Sequence, residues 1–254
     1  MTNLTGARHS RAVLLILFFI AYPMGVYAIG RRHTATWKKI GYVLLGFPLF
    51  SGLLLFGGIL LFAGFLPALD TTPVNRADRT IRNTVGDYQV TFLKTNRETG
   101  GAYELVQVSL APGGGNDWHY HNRFVEKFRV LDGELNVGLD GKAVALRKGD
   151  TLSAPAHVMH KFYNTSDSTA TFTVEINPGR SFERTLRIGY GLCNAGHCDE
   201  NGMPDNPWHL VLLLAYSESY LPLLPGVVQE TLFPALAKIA QWKGEHKALE
   251  TYYR

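Results

Sequence analysis

The chain of 254 residues is poor in charge and in cysteine, and it lacks most of the motifs that mark common enzyme classes. Charged residues make up 18% and the net charge is only +4, too mild a balance to argue for nucleic acid as a partner. Cys193 and Cys198 are the only cysteines. A zinc ribbon usually needs a second pair, so the favoured reading is a small disulfide loop, provided that side of the molecule is oxidising. There is no serine-based triad, no dinucleotide fingerprint and no pair of catalytic carboxylates at usable spacing. Gly113-Gly114-Gly115 imitates a phosphate loop only superficially, because it lacks the strand–loop–helix context and the Lys-Ser/Thr such a loop needs. Internal repeats and low-complexity tracts are absent.

The scarcity of charge is concentrated at one end. Arg8 and Arg11 precede Ala12–Ile29, an uncharged run of roughly 18 residues, enough to span a bilayer with little to spare. Arg31, Arg32, His33, Lys38 and Lys39 follow, and then a second uncharged run, Ile40–Leu69, exceeds the ~20 residues a span needs. Its several glycines are tolerated in membrane helices, where small residues let helices approach. Residues 1–70 therefore read as a two-helix transmembrane hairpin, because helices of soluble cores rarely stay uncharged this long. Val26-Tyr27-Ala28 imitates a signal-peptide cleavage site, but the bulky aromatics and Pro23 nearby do not favour cleavage. The cluster of Lys and Arg between the runs places that connection in the cytoplasm. Whatever follows the hairpin is then expected on the extracytoplasmic side of an inner or plasma membrane.

Residues 71–84 are polar and open on Thr71-Thr72-Pro73, as a linker or as the first edge of the next domain. From Tyr88 the pattern changes to short strands, expected at 88–94, 102–110, 123–131, 134–139, 142–147, 158–164 and 169–177. Asp132-Gly133 and Asp140-Gly141 read as hairpin turns. Many short strands at this spacing indicate a barrel or jelly roll. After Pro178-Gly179 the stretch Gly189–Pro207, rich in Gly, Asn and Asp, reads as loop. Asn206-Pro207 then starts a helix, with Asn as N-cap and Pro at the first helical position. A further helix is expected over about Val227–Lys243, with Val228, Leu232, Leu236, Ile239 and Ala240 on one face. Residues 181–254 thus form a loop and helical extension, which either packs on the barrel or lies in the membrane interface.

The chemistry concentrates between Gly113 and Asn164. Strand alternation puts residues i and i+2 on one face, so His119 and His121 point the same way and Tyr120 points away. On the next strand Phe124, Glu126, Phe128 and Val130 share a face. Glu126 is then a carboxylate in an apolar row, where a lone charge is costly unless a cation compensates it. On a later strand Val158, His160 and Phe162 share a face. Three imidazoles and one carboxylate are the candidates for a single metal site. Trp118 reads as lining the barrel mouth or covering its edge.

These residues carry a family resemblance. Gly113, five residues, His119-Tyr120-His121, four residues, Glu126, six residues and Gly133 resemble the first cupin motif. Gly149, five residues, Pro155, then His160 and Asn164 resemble the second. One position departs: His157 stands where the family usually has a turn glycine, and His is among the residues that better tolerate positive φ. His157 reads as an exposed turn residue in preference to an acid–base group near the metal. The resemblance implies an all-β cupin double-stranded β-helix, or jelly-roll barrel, over residues 85–180, flanked by the transmembrane helices and the C-terminal helices. It also implies metal ligands at His119, His121, Glu126 and His160. Such a donor set suits Fe, Mn, Ni or Zn alike. The expected function is metal-dependent, dioxygenase-like chemistry at the membrane on a small apolar or aromatic molecule, which the row Phe124, Phe128 and Phe162 would suit. The competing readings are a non-catalytic module that binds a small ligand or metal, and a structural protein that the metal only stabilises. The partners implied are a small-molecule ligand and the membrane, with a homodimer left open and nucleic acid excluded.

Overall fold

The computed structural model describes residues 22–31, 35–222 and 224–254. The chain divides into two compact units, Met1–Phe62 and Ala63–Arg254. In the first, helix α1 (Tyr22–Gly30) precedes helix α2 (Thr36–Gly64). The part of the first expected span before Tyr22 lies outside the described residues. Tyr22 donates to the Val43 carbonyl at 3.0 Å and stacks on Phe50, while Lys39 donates to the Gly30 carbonyl at 2.8 Å. Gly30, at the end of α1, meets Lys39 near the start of α2, and Tyr22, at the start of α1, meets Val43 and Phe50 further along, so the two run antiparallel. Helix α2 has 29 residues and is long and apolar enough, by length and composition, to cross a membrane. It begins before Ile40 and stops at Gly64, short of the expected Leu69. Pro67 explains the end, since a proline disfavours helical backbone in the residue before it and cannot continue the ladder.

The second unit opens on strands β1 (Thr80–Asn83) and β2 (Tyr88–Lys94), a short helix α3 (Asn96–Thr99) and strand β3 (Glu104–Leu110). Then come β4 (Tyr120–His121), β5 (Val125–Asp132), β6 (Glu134–Leu139), β7 (Lys142–Arg147), β8 (Thr151–Ala154), β9 (His160–Tyr163) and β10 (Ala170–Asn177). Six strands form one sheet in the order β1-β2-β3-β10-β5-β8, and three form a second in the order β7-β6-β9. Their inner faces enclose a core in which Leu110, Phe128, Leu135, Val137, Phe172 and Ile176 are fully buried. Strand alternation shows directly in β5, where Glu126, Phe128 and Val130 are buried and Val125, Lys127 and Arg129 are exposed.

Two turn expectations have different outcomes. Asp140-Gly141 joins the paired strands β6 and β7, with φ of 48° and 77°, the positive values that a two-residue hairpin turn requires. Asp132-Gly133 is not a hairpin turn, because β5 and β6 belong to different sheets. It is a corner at which the chain changes sheet. A Cβ on Gly133 would lie 2.7 Å from the Thr169 carbonyl oxygen, so close approach as well as φ selects glycine there.

Four helices follow the strands: α4 (Phe182–Asn194), α5 (Pro207–Ser217), α6 (Gly226–Lys243) and α7 (His246–Tyr253), with a two-residue strand β11 (Ser219–Tyr220) after α5. Helix α4 runs through Gly189 and Gly191, part of the stretch read as loop. Gly191 is there for packing: a Cβ would fall 2.2 Å from the Tyr252 ring. One stripe of α4, Phe182, Leu186 and Tyr190, packs on the barrel core, while Ile188 and Leu192 join Leu212, Ala237 and Leu249 in a second, helical core. Asn206 caps α5 by accepting from the Trp208 N–H at 2.9 Å, with Pro207 at the first helical position, as the sequence predicts. The predicted apolar face of α6 is only half right. Ala240 is buried, but so is the polar Gln229, whose amide accepts from the Leu221 N–H and donates to the carbonyls of Leu221 and Leu224.

The polar stretch after residue 70 is the edge of this unit. Buried Arg184 donates to the carbonyls of Asp70 and Thr72 and lies over the rings of Tyr216 and Tyr253. Buried Arg187 bonds Asp78 and Glu183. The segment from Asp70 to Asp78 is thereby held on α4 before β1 begins.

Candidate metal centre

Backbone pairing fixes where the imidazoles sit. His119 and His160 exchange both N–H···O bonds, at 3.0 and 2.8 Å. His121, two residues further, lies on the same face and is paired through β4 with Ser219 of β11. Glu126 comes from β5 in the opposite sheet. Gly115 makes this approach possible, since a Cβ there would meet the Phe162 carbonyl oxygen at 2.7 Å. Asn116 then locks the register by accepting from the Phe162 N–H at 2.7 Å.

The four predicted side chains converge. One donor atom from each of His119, His121, Glu126 and His160 lies within 4.8 Å of the others. His121, Glu126 and His160 are buried, and His119 is partly accessible. His121 Nε2 is 3.5 Å from Glu126 Oε1, and His160 Nε2 is 3.3 Å from Glu126 Oε2. Neither Nε2 atom has a hydrogen-bond partner. Buried nitrogens without a partner are costly.

The outer ring nitrogens are all engaged. His119 Nδ1 lies 2.8 Å from the Asp117 carbonyl and His160 Nδ1 lies 2.9 Å from the Val158 carbonyl. A carbonyl only accepts, so each Nδ1 carries the proton and each Nε2 presents a lone pair inward. His121 Nδ1 lies 3.2 Å from Ser219 Oγ, whose own hydroxyl donates to the Ser217 carbonyl. The serine lone pair is then free to accept from Nδ1–H. This arrangement, with Nδ1 tied outward and Nε2 aimed at a common point, is the one metal-ligating histidines adopt.

Burial dominates the electrostatics. It pushes His119 down to about 3, helped by His121 and His160. Burial would raise Glu126, but the contacts with His121 and His160 outweigh it and hold the carboxyl well below its usual range. Burial would lower His160, but the nearby Glu126 carboxylate prevails and raises it. An anionic carboxylate facing inward lone pairs fits a divalent cation, and the cluster suggests one without fixing its identity.

A cavity of about 120 Å³ adjoins the cluster and is lined by His119, His121 and Glu126. Its far wall includes Tyr88 of β2 and Phe182, Leu186 and Tyr190 of α4. Of the expected apolar row, only Phe162 reaches it. Phe124 instead stacks on the His121 ring at 4.1 Å, and Phe128 is buried in the core. Trp118 packs on the face of the β6–β9 pair, against Gly138 and Lys161. Tyr120 points away and donates to Glu230 at 3.0 Å. His157 has φ of 63° and an exposed side chain 3.5 Å from Glu230, outside the cluster.

Three contributors were not legible in the sequence. Ser219 reaches the site from nearly a hundred residues away. Tyr190 lies in a helix that glycines disguise. Glu104 places that helix: its carboxylate accepts from the N–H groups of Arg180, Phe182 and Glu183, at 2.9, 3.2 and 3.0 Å. The first-turn donors of α4 have no intrahelical partner, and a carboxylate on β3 supplies one.

The Cys193–Cys198 disulfide closes a small loop after α4.

Residues 106–181 match the cupin domain family model. The chain is 33% identical over 84 residues to quercetin 2,3-dioxygenase of Bacillus subtilis, covering 33% of this chain and 25% of that one. It is 37% identical over 81 residues to germin-like protein 3-5 of Oryza sativa, covering 29% of this chain and 36% of that one. The matched parts thus span only a quarter to about a third of these relatives. The structure of KdgF from Halomonas sp. aligns over 44% of this chain and 96% of its own, at 21% identity and a TM-score of 0.36. The family model and the His/His/Glu/His cluster together support the cupin superfamily and a metal-dependent function for the barrel.

Proposed function

We propose that this protein is a membrane-anchored cupin that holds one divalent transition metal on His119, His121, Glu126 and His160. Its function is metal-dependent, dioxygenase-like chemistry on a small apolar or aromatic molecule. The observation that carries this reading is the shared wall: three of the four clustered side chains also line the cavity. A purely structural ion has no need of such a space.

A bound Fe, Mn, Ni or Zn ion would supply Lewis acidity, and with iron the capacity to use dioxygen. The chain's own residues supply position and exclusion. Asp117, Val158 and Ser219 hold the three imidazoles in one tautomer. Tyr88, Leu186 and Tyr190 keep water from the far side of the cavity. Tyr88 and Tyr190 stay protonated at neutral pH, because burial raises both phenols, so neither serves as a base there. The name of the Bacillus relative agrees with dioxygenase-like chemistry.

The apolar side chains that line much of the cavity, among them Val90, Val106, Val108 and Leu186, also favour a second reading, a binding module that captures a small ligand without converting it. Helix α2 supports the anchor, and the Cys193–Cys198 disulfide supports an oxidising, extracytoplasmic side for the barrel. Metal analysis of the chain purified from its native host tests the site. One equivalent of metal, lost in His121→Ala and His160→Ala, is expected. Full occupancy in both variants would sink the assignment. Turnover or mere binding of ring-sized aromatics by the iron-loaded protein separates the two functional readings.

A further inference from the structure

The cavity beside the cluster has a polar feature that the metal reading does not use. Tyr190 Oη donates to Tyr88 Oη at 3.0 Å, and both side chains are buried. Among the described residues, Asn83 is the other polar side chain beside the pair. The Asn83 oxygen is already occupied, since it accepts from the N–H groups of Val85 and Gly86 at 3.0 and 3.1 Å. The amide therefore meets the phenols with its N–H. A line of donors then runs from Asn83 into the pair, and each phenol can accept. One proton is left over. Whichever way the two hydroxyls turn, one O–H has no acceptor among the described residues. A buried donor without an acceptor is costly, and this one belongs to side chains that line the same cavity as Glu126.

The hydroxyls and the amide oxygen that also line the cavity have partners of their own. Thr185 donates to Ser181, Ser217 donates to Leu214, Asn116 accepts from Phe162, and Ser219 is bound to His121. No Lys or Arg is among the described residues that line it. A divalent ion with the Glu126 carboxylate would carry one net positive charge. A neutral or singly negative guest is then accommodated, whereas a dianion would leave an unpaired buried charge. Size sets a further limit. A cavity of about 150 Å³ lined by apolar side chains takes up benzene, and this one is about 120 Å³.

We propose that the cavity receives a molecule of at most one six-membered ring, neutral or singly negative, whose acceptor oxygen is held by the spare O–H of the Tyr88–Tyr190 pair. The substrate class so defined rests on the metal reading above for its charge, and on the phenol pair for its oxygen. Tyr190 comes from α4, outside the segment that matches the family model, so this part of the selectivity belongs to the C-terminal helices.

The test uses the full chain in detergent and three probes: cyclohexanone, methylenecyclohexane, which has the same shape without the oxygen, and the two-ring 2-decalone. Calorimetry should show cyclohexanone binding roughly three- to tenfold more tightly than methylenecyclohexane, the range of one net hydrogen bond. It should also bind more tightly than 2-decalone. Either single Tyr→Phe variant leaves one phenol with a spare O–H and should keep the preference. The double variant Tyr88→Phe/Tyr190→Phe should lose it. Leu186→Trp, which fills the cavity from α4, should abolish binding of all three, and it keeps the proposal testable if the double variant does not fold. A preference that survives the double variant would overturn the proposal. So would unchanged cyclohexanone binding in Leu186→Trp, or 2-decalone binding as tightly as cyclohexanone. Elemental analysis of the same samples separates the two readings. A metal-loaded chain that ignores cyclohexanone overturns this proposal alone. A metal-free chain that shows the preference supports the phenol grip and overturns the metal assignment.

Discussion

Ser219 Oγ sits 3.2 Å from His121 Nδ1, joining the end of α5 to the candidate metal centre. The serine is itself oriented by the Ser217 carbonyl, so it acts on His121 without touching the space between the four donors. Partners of this kind typically contribute 10–100-fold in metal affinity. Ser219→Ala is expected to weaken metal binding by about tenfold, measured by competition with a chromophoric chelator. Ser219→Thr, which keeps the hydroxyl, should restore most of it. Equal affinity in the alanine variant and the parent would show that the backbone pairing of β4 with β11 suffices to orient His121.

Glu104 offers a pH signature. Burial pushes its pKa from 4.5 up to about 7, against three backbone N–H donors that pull it down. Between these values the native state keeps the proton and the unfolded chain has released it. Stability then falls as pH rises through that window and levels off above it. Glu183, which burial also raises, contributes in the same direction. Glu104→Gln should flatten the decline, leaving only the part due to Glu183. The check is the melting temperature at pH 5 and pH 8 for both proteins. An unchanged difference between the two pH values would mean that the helix N–H groups, not burial, govern this carboxyl.

How much of this was legible follows from the range of the signals. The strands at Tyr88–Lys94, Glu134–Leu139 and Lys142–Arg147 were read to the residue, because alternation and turn chemistry are local. The motif spacing likewise picked out four side chains that the fold brings together. Strands β1, β8 and β11 were missed, being too short for alternation to register. The Asp132-Gly133 turn was misread because a glycine turn has the same local chemistry whether it closes a hairpin or changes sheet. Helix α4 was not read, because Gly189 and Gly191 look like loop until Leu213 and Tyr252 are seen packed on them. Gln229 was left off the packed face of α6, since nothing local tells that the Leu221–Leu224 turn needs its amide. Ser219 and Tyr190 act at a distance that periodicity does not carry.

The membrane reading makes a prediction in intact cells. In a background with Cys193 and Cys198 replaced, a cysteine at Thr36 should be protected from an impermeant thiol reagent. A cysteine at Lys148, whose side chain is 75% exposed, should be labelled. Labelling at Thr36 with protection at Lys148 would place the barrel in the cytoplasm, where a disulfide is not expected to persist.

Metal removal gives the last prediction. His121 Nε2 and His160 Nε2 are buried without partners around the Glu126 carboxylate, an arrangement with little to hold it together once no cation is present. A ligand that binds only the native state stabilises it by an amount that grows with the logarithm of its concentration, about 2.7 kcal/mol at a hundredfold excess over Kd. The melting temperature of the stripped chain should therefore rise steadily with added metal rather than step to a plateau at one equivalent. His160→Ala should melt at the same temperature with and without metal. His157→Ala should track the parent at every concentration, since its ring is exposed and lies against Glu230 outside the cluster. A parent protein whose melting temperature ignores metal would show that the four side chains are held by the pairing of β4, β5 and β9 alone. The Glu126–His160 contact would then be an ion pair in its own right, and the cavity beside it would belong to a binding module.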